Sequence, residues 1–183
     1  MTLALLSHPS EGLTVDETVV ALEPFVEYVR RRDLPTTATP GTELNPDTVG
    51  TALDELALSK VVSRIEGLTS VVYVIESDQH LAAAYYRNTI IHFFVNSAIV
   101  ELALLEAEES KQADLVRVVI DEAFNLRDLL KFEFFFAERE EFEAQVRSEL
   151  SLDEPGWKQR LADGDARTVL LATRPFKAPA VLG

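Results

Sequence analysis

The stretch from Tyr85 to Leu105, YYRNTIIHFFVNSAIVELALL, constrains the fold more than any other part of this sequence. Wound as a helix it is apolar on nearly every side, and such helices are buried in a core or in a membrane. A bilayer span takes about 20 mainly apolar residues. Arg87, His92, Asn96 and Glu101 interrupt the run before it reaches that length. The expectation is a buried central helix over about residues 78–108, around which a mainly α fold packs as a helical bundle. Ser77 and Asp78 open it, and Asn96-Ser97 offers a break into two abutting helices ending near Glu109, because Asn and Ser compete for backbone hydrogen bonds.

Polar groups cross this helix at a fixed spacing. Asn88, His92 and Asn96 recur every four residues, so one helix places them in a single stripe. With Tyr85, Tyr86 and Arg87 they form the candidate polar site of the chain. Buried inside the bundle they would form a hydrogen-bonded network that fixes helix register and docks neighbouring elements. Any member left unpaired would cost about 1–3 kcal/mol. The planar guanidinium of Arg87 suits a carboxylate or a run of backbone carbonyls.

The rest of the chain divides into residues 1–76 and 77–183, expected to pack as one compact unit. Thr2 to Ser7 reads as a last helical turn, stopped by Pro9 and Gly12. Thr14 with Glu17 forms a capping box, and Val19, Leu22, Val26 and Val29 make the apolar stripe of the helix that follows. Pro24 should kink or split that helix. It closes on Arg30, Arg31 and Arg32, which either complement the helix dipole or contact an anion. Residues 33–45 form a linker, and Asn45-Pro46 starts a helix to about Lys60 with Val49, Leu53, Leu56 and Ala57 on its buried side. Val61–Ile65 and Val71–Ile75 are β-branched runs joined by a turn at Gly67.

Helix, helix, hairpin is the order of a winged-helix unit, but Asp47, Asp54 and Glu55 occupy the helix that would read DNA. Beyond the central helix, Lys111–Leu130 forms a helix on Leu115, Val118, Val119, Ala123 and Leu126. Phe132, Phe135 and Phe136 are expected to point into the core, with Phe142, Val146 and Leu150 continuing the stripe and Glu138, Glu140, Glu141 and Glu143 in solvent. Asp153, Pro155 and Gly156 stop that helix; Trp157–Leu161 is a short helical piece, and Val169–Leu171 a strand or helix turn before Pro175.

Composition narrows the chemistry. A net charge of −14, from 31 acids and 17 bases, opposes nucleic-acid binding, whose affinity comes largely from neutralising phosphates. It also disfavours electrostatic docking to anionic lipid. There is no cysteine, so disulfide and thiolate chemistry are excluded, and three histidines make a zinc site improbable. Glu76 and His80 share a helix face, but two ligands do not hold a metal. No Gly-x-Ser-x-Gly elbow and no Gly-rich phosphate loop occurs. Neither a metal nor a cofactor is expected, and no catalytic residue. Met1–Leu6 lacks the features of a signal peptide. Both ends look abrupt, as in an excised chain with a truncated C-terminus.

Tyr85-Tyr86-Arg87-Asn88 followed by His92 resembles the helix in the C-terminal part of glycerol-3-phosphate acyltransferases, and so does Leu129-Leu130-Lys131-Phe132-Glu133-Phe134-Phe135-Phe136 with Phe142 downstream. The resemblance runs over roughly positions 1 to 175 and is strongest to bacterial, actinobacterial-like members. That family's catalytic signature is His, four residues, then Asp, on an upstream domain. Here His8, His80 and His92 are followed at that distance by Leu13, Tyr85 and Ser97. The resemblance therefore implies a non-catalytic region, inactive alone, of an enzyme moving an acyl group from acyl-CoA or acyl-carrier protein to the sn-1 hydroxyl of glycerol 3-phosphate. Its partner would be the acyltransferase domain of its own parent chain, faced by Arg87 and Asn88. The parent would act at the cytoplasmic side of the plasma membrane, while this fragment would be soluble. The rival reading is an independent helical or winged-helix-like interaction module without enzymatic activity.

Overall fold

The computed structural model describes residues 1–8, 12–34, 44–67 and 69–173. Most of the expected linker, together with Pro9 and Pro175, lies outside them. The fold is mainly helical with one two-stranded antiparallel sheet, as expected. The chain forms two compact units, Met1–Ile90 and Ile91–Gly183. Their boundary falls beyond the expected one at 76/77, because the helix after the hairpin packs on the first helix of the chain.

The first unit holds α1 (Thr2–Leu6), α2 (Val15–Arg31), α3 (Pro46–Leu58), α4 (His80–Asn88) and the hairpin of β1 (Ser63–Glu66) and β2 (Val71–Val74), on which α2 and α3 pack. The capping box at α2 forms as expected. The Glu17 amide donates to Thr14 Oγ1 at 3.2 Å, and the Thr14 amide donates to the Glu17 carboxylate at 2.8 Å. These Thr14 donors hold the Glu17 carboxyl below its ordinary range, backbone first and hydroxyl second. The buried stripe of α2 is Thr18, Leu22, Phe25 and Tyr28, rotated from the expected one, in which only Leu22 is fully buried. The aromatic rings outcompete the valines for the core because they bury more surface. The helix runs unbroken through Pro24, so of the two expected outcomes, a kink or a split, the split does not occur. The carbonyl that Pro24 leaves without a donor belongs to solvent-exposed Val20, where water can serve.

Three helices end alike. Asp33, Lys60 and Gly164 take positive φ, and the residue after each donates back across the last turn, as Val61 N does to Leu56 O at 2.9 Å. At Lys60 this reversal delivers Val61 and Val62 to the core, so β1 starts at Ser63 rather than at Val61. The register pairs Arg64 with Tyr73 and Ile65 with Val72. Leu13 pairs with Tyr73 on the other side of β2, through bonds of 2.9 and 2.8 Å. The Tyr73 hydroxyl donates to Asp54 Oδ1 at 2.7 Å and so ties the hairpin to α3. Burial, then that carboxylate, pushes the phenol pKa up.

In the second unit, α5 (Val95–Glu109) is the central rod. It touches α6 (Leu115–Leu130), α7 (Arg139–Asp153) and α9 (Ala166–Ala172), and α8 (Trp157–Ala162) packs on α6 and α9. Phe142, Val146 and Leu150 are buried on α7 as expected. Trp157 is buried as well, its Nε1 donating to Ser151 Oγ at 3.0 Å.

The central stretch over 78–108 takes the two-helix form of the expected alternatives, with the helices separated at 89–94. The break comes before Asn96-Ser97. Thr89, Ile90 and Ile91 are consecutive β-branched residues, poorly suited to a helix interior. The Thr89 hydroxyl donates to Tyr86 O at 2.7 Å, and Ile90 N donates to Arg87 O at 3.1 Å. These tightened bonds end α4, and a short 3-10 turn at Ile91–Phe93 leads into α5.

Candidate functional site

The break divides the polar stripe. Tyr85, Tyr86, Arg87 and Asn88 lie on α4 in the first unit, whereas His92 and Asn96 belong to the second. Tyr85, Tyr86, Asn88 and His92 are exposed, and Arg87 and Asn96 are half-buried. The expectation of one buried hydrogen-bonded ladder is therefore corrected. Ala83 supplies the buried side of α4, and Tyr85, Tyr86 and Asn88 turn outward.

What remains is a compact surface of four residues. Tyr85 and Tyr86 stand edge to face with centroids 5.9 Å apart, and Arg87 Nε donates to Asn88 Oδ1 at 3.4 Å. Leu81 on α4 and Ile90 just after it are exposed as well, so this stretch shows two aliphatic and two aromatic side chains to solvent. Tyr86 also lines an open cleft of about 360 Å³ with Ala52, Glu55, Leu56 and Ser59. Met1 and Thr2 line it too, and among the described residues Glu55 supplies its charged side chain. His92 stacks on Phe93 with centroids 4.0 Å apart, and Asn96 Nδ2 donates to Gln145 Oε1 on α7 at 2.9 Å. Both have local roles. Arg30 and Arg31 are exposed and Arg32 is half-buried at the end of α2. Among the described residues, no three His, Cys, Asp or Glu side chains converge to hold a metal ion. No helix there is long and apolar enough to cross a membrane.

A second surface was missed by sequence reasoning. The Phe-rich segment after α6 splits by direction. Phe134 and Phe136 turn inward, where Phe136 meets Phe142 at 5.6 Å and 84°. Arg139 sits over the Phe124 ring at 4.0 Å, and Arg127 donates to Ala137 O at 2.8 Å. Phe132 and Phe135 point out, 89% and 108% exposed, with Leu129 beside them at 72%. This corrects the expectation that Phe132 and Phe135 fill the core; Phe136 is half-buried. Phe132 and Phe135 fit a helical apolar stripe only if the helix continues, and α6 has already ended at Leu130. The buried Glu149 was also missed, although it falls three residues after Val146 on the apolar stripe of α7.

Residues 1–178 match the family described as "Glycerol-3-phosphate acyltransferase C-terminal region". Proteins named "Putative acyltransferase plsB1", from Mycobacterium bovis and two strains of Mycobacterium tuberculosis, are 40% identical to this chain over 154 residues. The aligned part covers 83% of this chain and 24% of each relative, so the chain spans about a quarter of the length of the curated relatives it matches. No solved structure matches it. The independent interaction module is thereby disfavoured. A family match over nearly its whole length, on a sequence carrying the Tyr-Tyr-Arg-Asn segment of α4 and the Phe-rich segment after α6, means that the chain belongs to the glycerol-3-phosphate acyltransferase C-terminal region family.

Proposed function

We propose that this region is the non-catalytic support of a glycerol-3-phosphate 1-O-acyltransferase. The whole enzyme would transfer a fatty acyl group from acyl-CoA or acyl-carrier protein to glycerol 3-phosphate, at the cytoplasmic side of the plasma membrane. The observation that carries the reading is the family match over residues 1–178 in a chain spanning only about a quarter of its curated relatives. None of its three histidines has an Asp five residues on, so it lacks the general-base pair that the family's chemistry requires. The work left to it is mechanical: to brace or complete the domain that binds substrate.

The α4 surface of Tyr85, Tyr86, Arg87 and Asn88 is the first candidate for that contact. Tyrosine and arginine are enriched at binding hot spots, and here Tyr85 and Tyr86 stand exposed on a short helix beside a half-buried Arg87. His92 and Asn96 would act indirectly, by setting how the chain enters α5. The test is acyl transfer by the purified 183-residue chain, with glycerol 3-phosphate and a long-chain acyl-CoA as substrates. No product is expected; turnover above the uncatalysed rate would overturn the division of labour.

A further inference from the structure

We propose that Leu129, Phe132 and Phe135 form a rigid docking knuckle for the part of a longer acyltransferase chain that lies outside this region. The surface it fits is an apolar hollow with a basic rim. The inference rests on the reading above and names a second contact for it, on the other compact unit.

Three large apolar side chains within seven consecutive positions are 72%, 89% and 108% exposed. A patch of this kind marks an interaction site when it is held in place. It is held. Glu133 N and Phe134 N both donate to Leu130 O, at 2.9 and 3.0 Å. Arg127 fixes the far end of the segment through Ala137 O at 2.8 Å, and its guanidinium lies 5.6 Å from the Phe142 ring. Phe134 packs on Phe136, and Phe136 on Phe142. The inward phenylalanines thus anchor the segment and aim the outward ones. A backbone already fixed in place has less entropy to lose on binding.

Charge selects the partner. The segment is acidic on balance: Asp128, Glu133, Glu138, Glu140 and Glu141 are exposed, against Arg139 and Lys131, whose Nζ lies 5.6 Å from the Phe132 ring centroid, in a chain of net charge −14. An acidic rim repels an anionic bilayer and complements a basic protein surface. The curated relatives carry about three quarters of their length outside the matched part, which covers 24% of each. That remainder is the protein chain permanently at hand.

The test is a full-length chimaera: plsB1 of Mycobacterium tuberculosis with its matched quarter exchanged for this chain. Photoreactive benzoylphenylalanine is placed at position 132, 135 or 85. Crosslinks from 132 and 135 into plsB1-derived peptides are expected and would support the knuckle. Crosslinks from 85 alone would overturn it while leaving the proposed function standing. Crosslinks from 132 and 135 to phospholipid would overturn it in favour of a bilayer contact. Crosslinks to plsB1 peptides from none of the three would overturn both readings. A second measurement needs no chimaera. On the isolated chain, Phe132→Ser with Phe135→Ser should lower the fluorescence of a hydrophobic dye severalfold with no change in far-ultraviolet circular dichroism. An unchanged dye signal would overturn the claim that these rings form the exposed patch. Sedimentation of the isolated chain with phosphatidylcholine–phosphatidylglycerol vesicles, abolished by the double change, would also overturn the protein partner.

Discussion

The helices α4 and α5 come from one continuous apolar stretch of sequence, and the fold uses them in opposite ways. Nine residues of α5 are buried, including Ser97 and Glu101, whereas α4 buries only Ala83. Composition separates them in part, since α4 carries His80, Arg87 and Asn88 within nine residues while α5 is richer in aliphatic side chains. Neighbours add to the difference: α5 is flanked by α6, α7 and α9, while α4 leans on α1, a helix of five residues. A helix that is apolar on every side is a core helix only where the rest of the chain supplies walls for every side. Where one wall is missing, the same kind of side chain becomes surface, and on α4 that surface is aromatic.

Substitutions that remove mass from each helix test this contrast. The largest effect belongs to α5. Leu104 is fully buried, and Leu104→Ala should cost about 2–5 kcal/mol through lost transfer energy and the cavity left behind. Trp157, the one tryptophan of the chain, is buried in the same unit, so its fluorescence during urea unfolding reports the loss. A change below 1 kcal/mol would mean that α5 is not the packed centre. Next comes Arg127→Ala, which removes the donor to Ala137 O and a cation over Phe142. A cost of about 2 kcal/mol is expected from the orphaned carbonyl and the lost ring contact. Urea unfolding followed by the same fluorophore measures it.

In the first unit the corresponding test is the α2 cap. Thr14→Ala should cost about 1 kcal/mol, seen by circular dichroism during urea unfolding. The effect carries a pH signature. Because the folded pKa of Glu17 is lowered, its contribution is full above the unfolded value of about 4.3 and is lost as pH falls through the folded value. The gap between wild type and Thr14→Ala should therefore narrow below about pH 4. A gap constant from pH 7 down to 3 would separate the cap from Glu17 ionisation.

Ser97→Ala is predicted to stabilise. The Ser97 hydroxyl is buried without a hydrogen-bond partner among the described residues, so its removal should return about 1 kcal/mol of desolvation cost. A destabilisation of that size would show that the hydroxyl is satisfied in solution.

Much of this was legible in the sequence, and the failures share a cause. Local signals held where local chemistry decides: the Thr14–Glu17 box, the Asn45-Pro46 start, and the Phe142, Val146, Leu150 stripe. Periodicity misled where one apolar residue competes with another for the same core. In α2 the choice between Val26 and Phe25 depends on the size of the space opposite. After α6, a stripe extrapolated past the helix end put Phe132 and Phe135 inside. The polar stripe failed for the same reason, since spacing by four means a shared face only while the helix lasts. Three β-branched residues in a row at Thr89 were the available warning.

The smallest expected effect discriminates best between the two helices. Tyr85 is 72% exposed, so Tyr85→Ser removes little burial, an exposed ring contact with Tyr86 and a small helix preference. Stability should move by no more than about 0.5 kcal/mol, as at ordinary surface sites. If α4 only closes off the first unit, nothing else should change. If its outer face meets the rest of the enzyme, Tyr85→Ser with Tyr86→Ser should leave the isolated chain intact and weaken the full-length enzyme, with acyl transfer or its heat resistance falling severalfold. Equal loss of stability in the isolated chain would mean that Tyr85 and Tyr86 belong to the core after all. The contrast between α4 and α5 would then be one of degree and not of purpose.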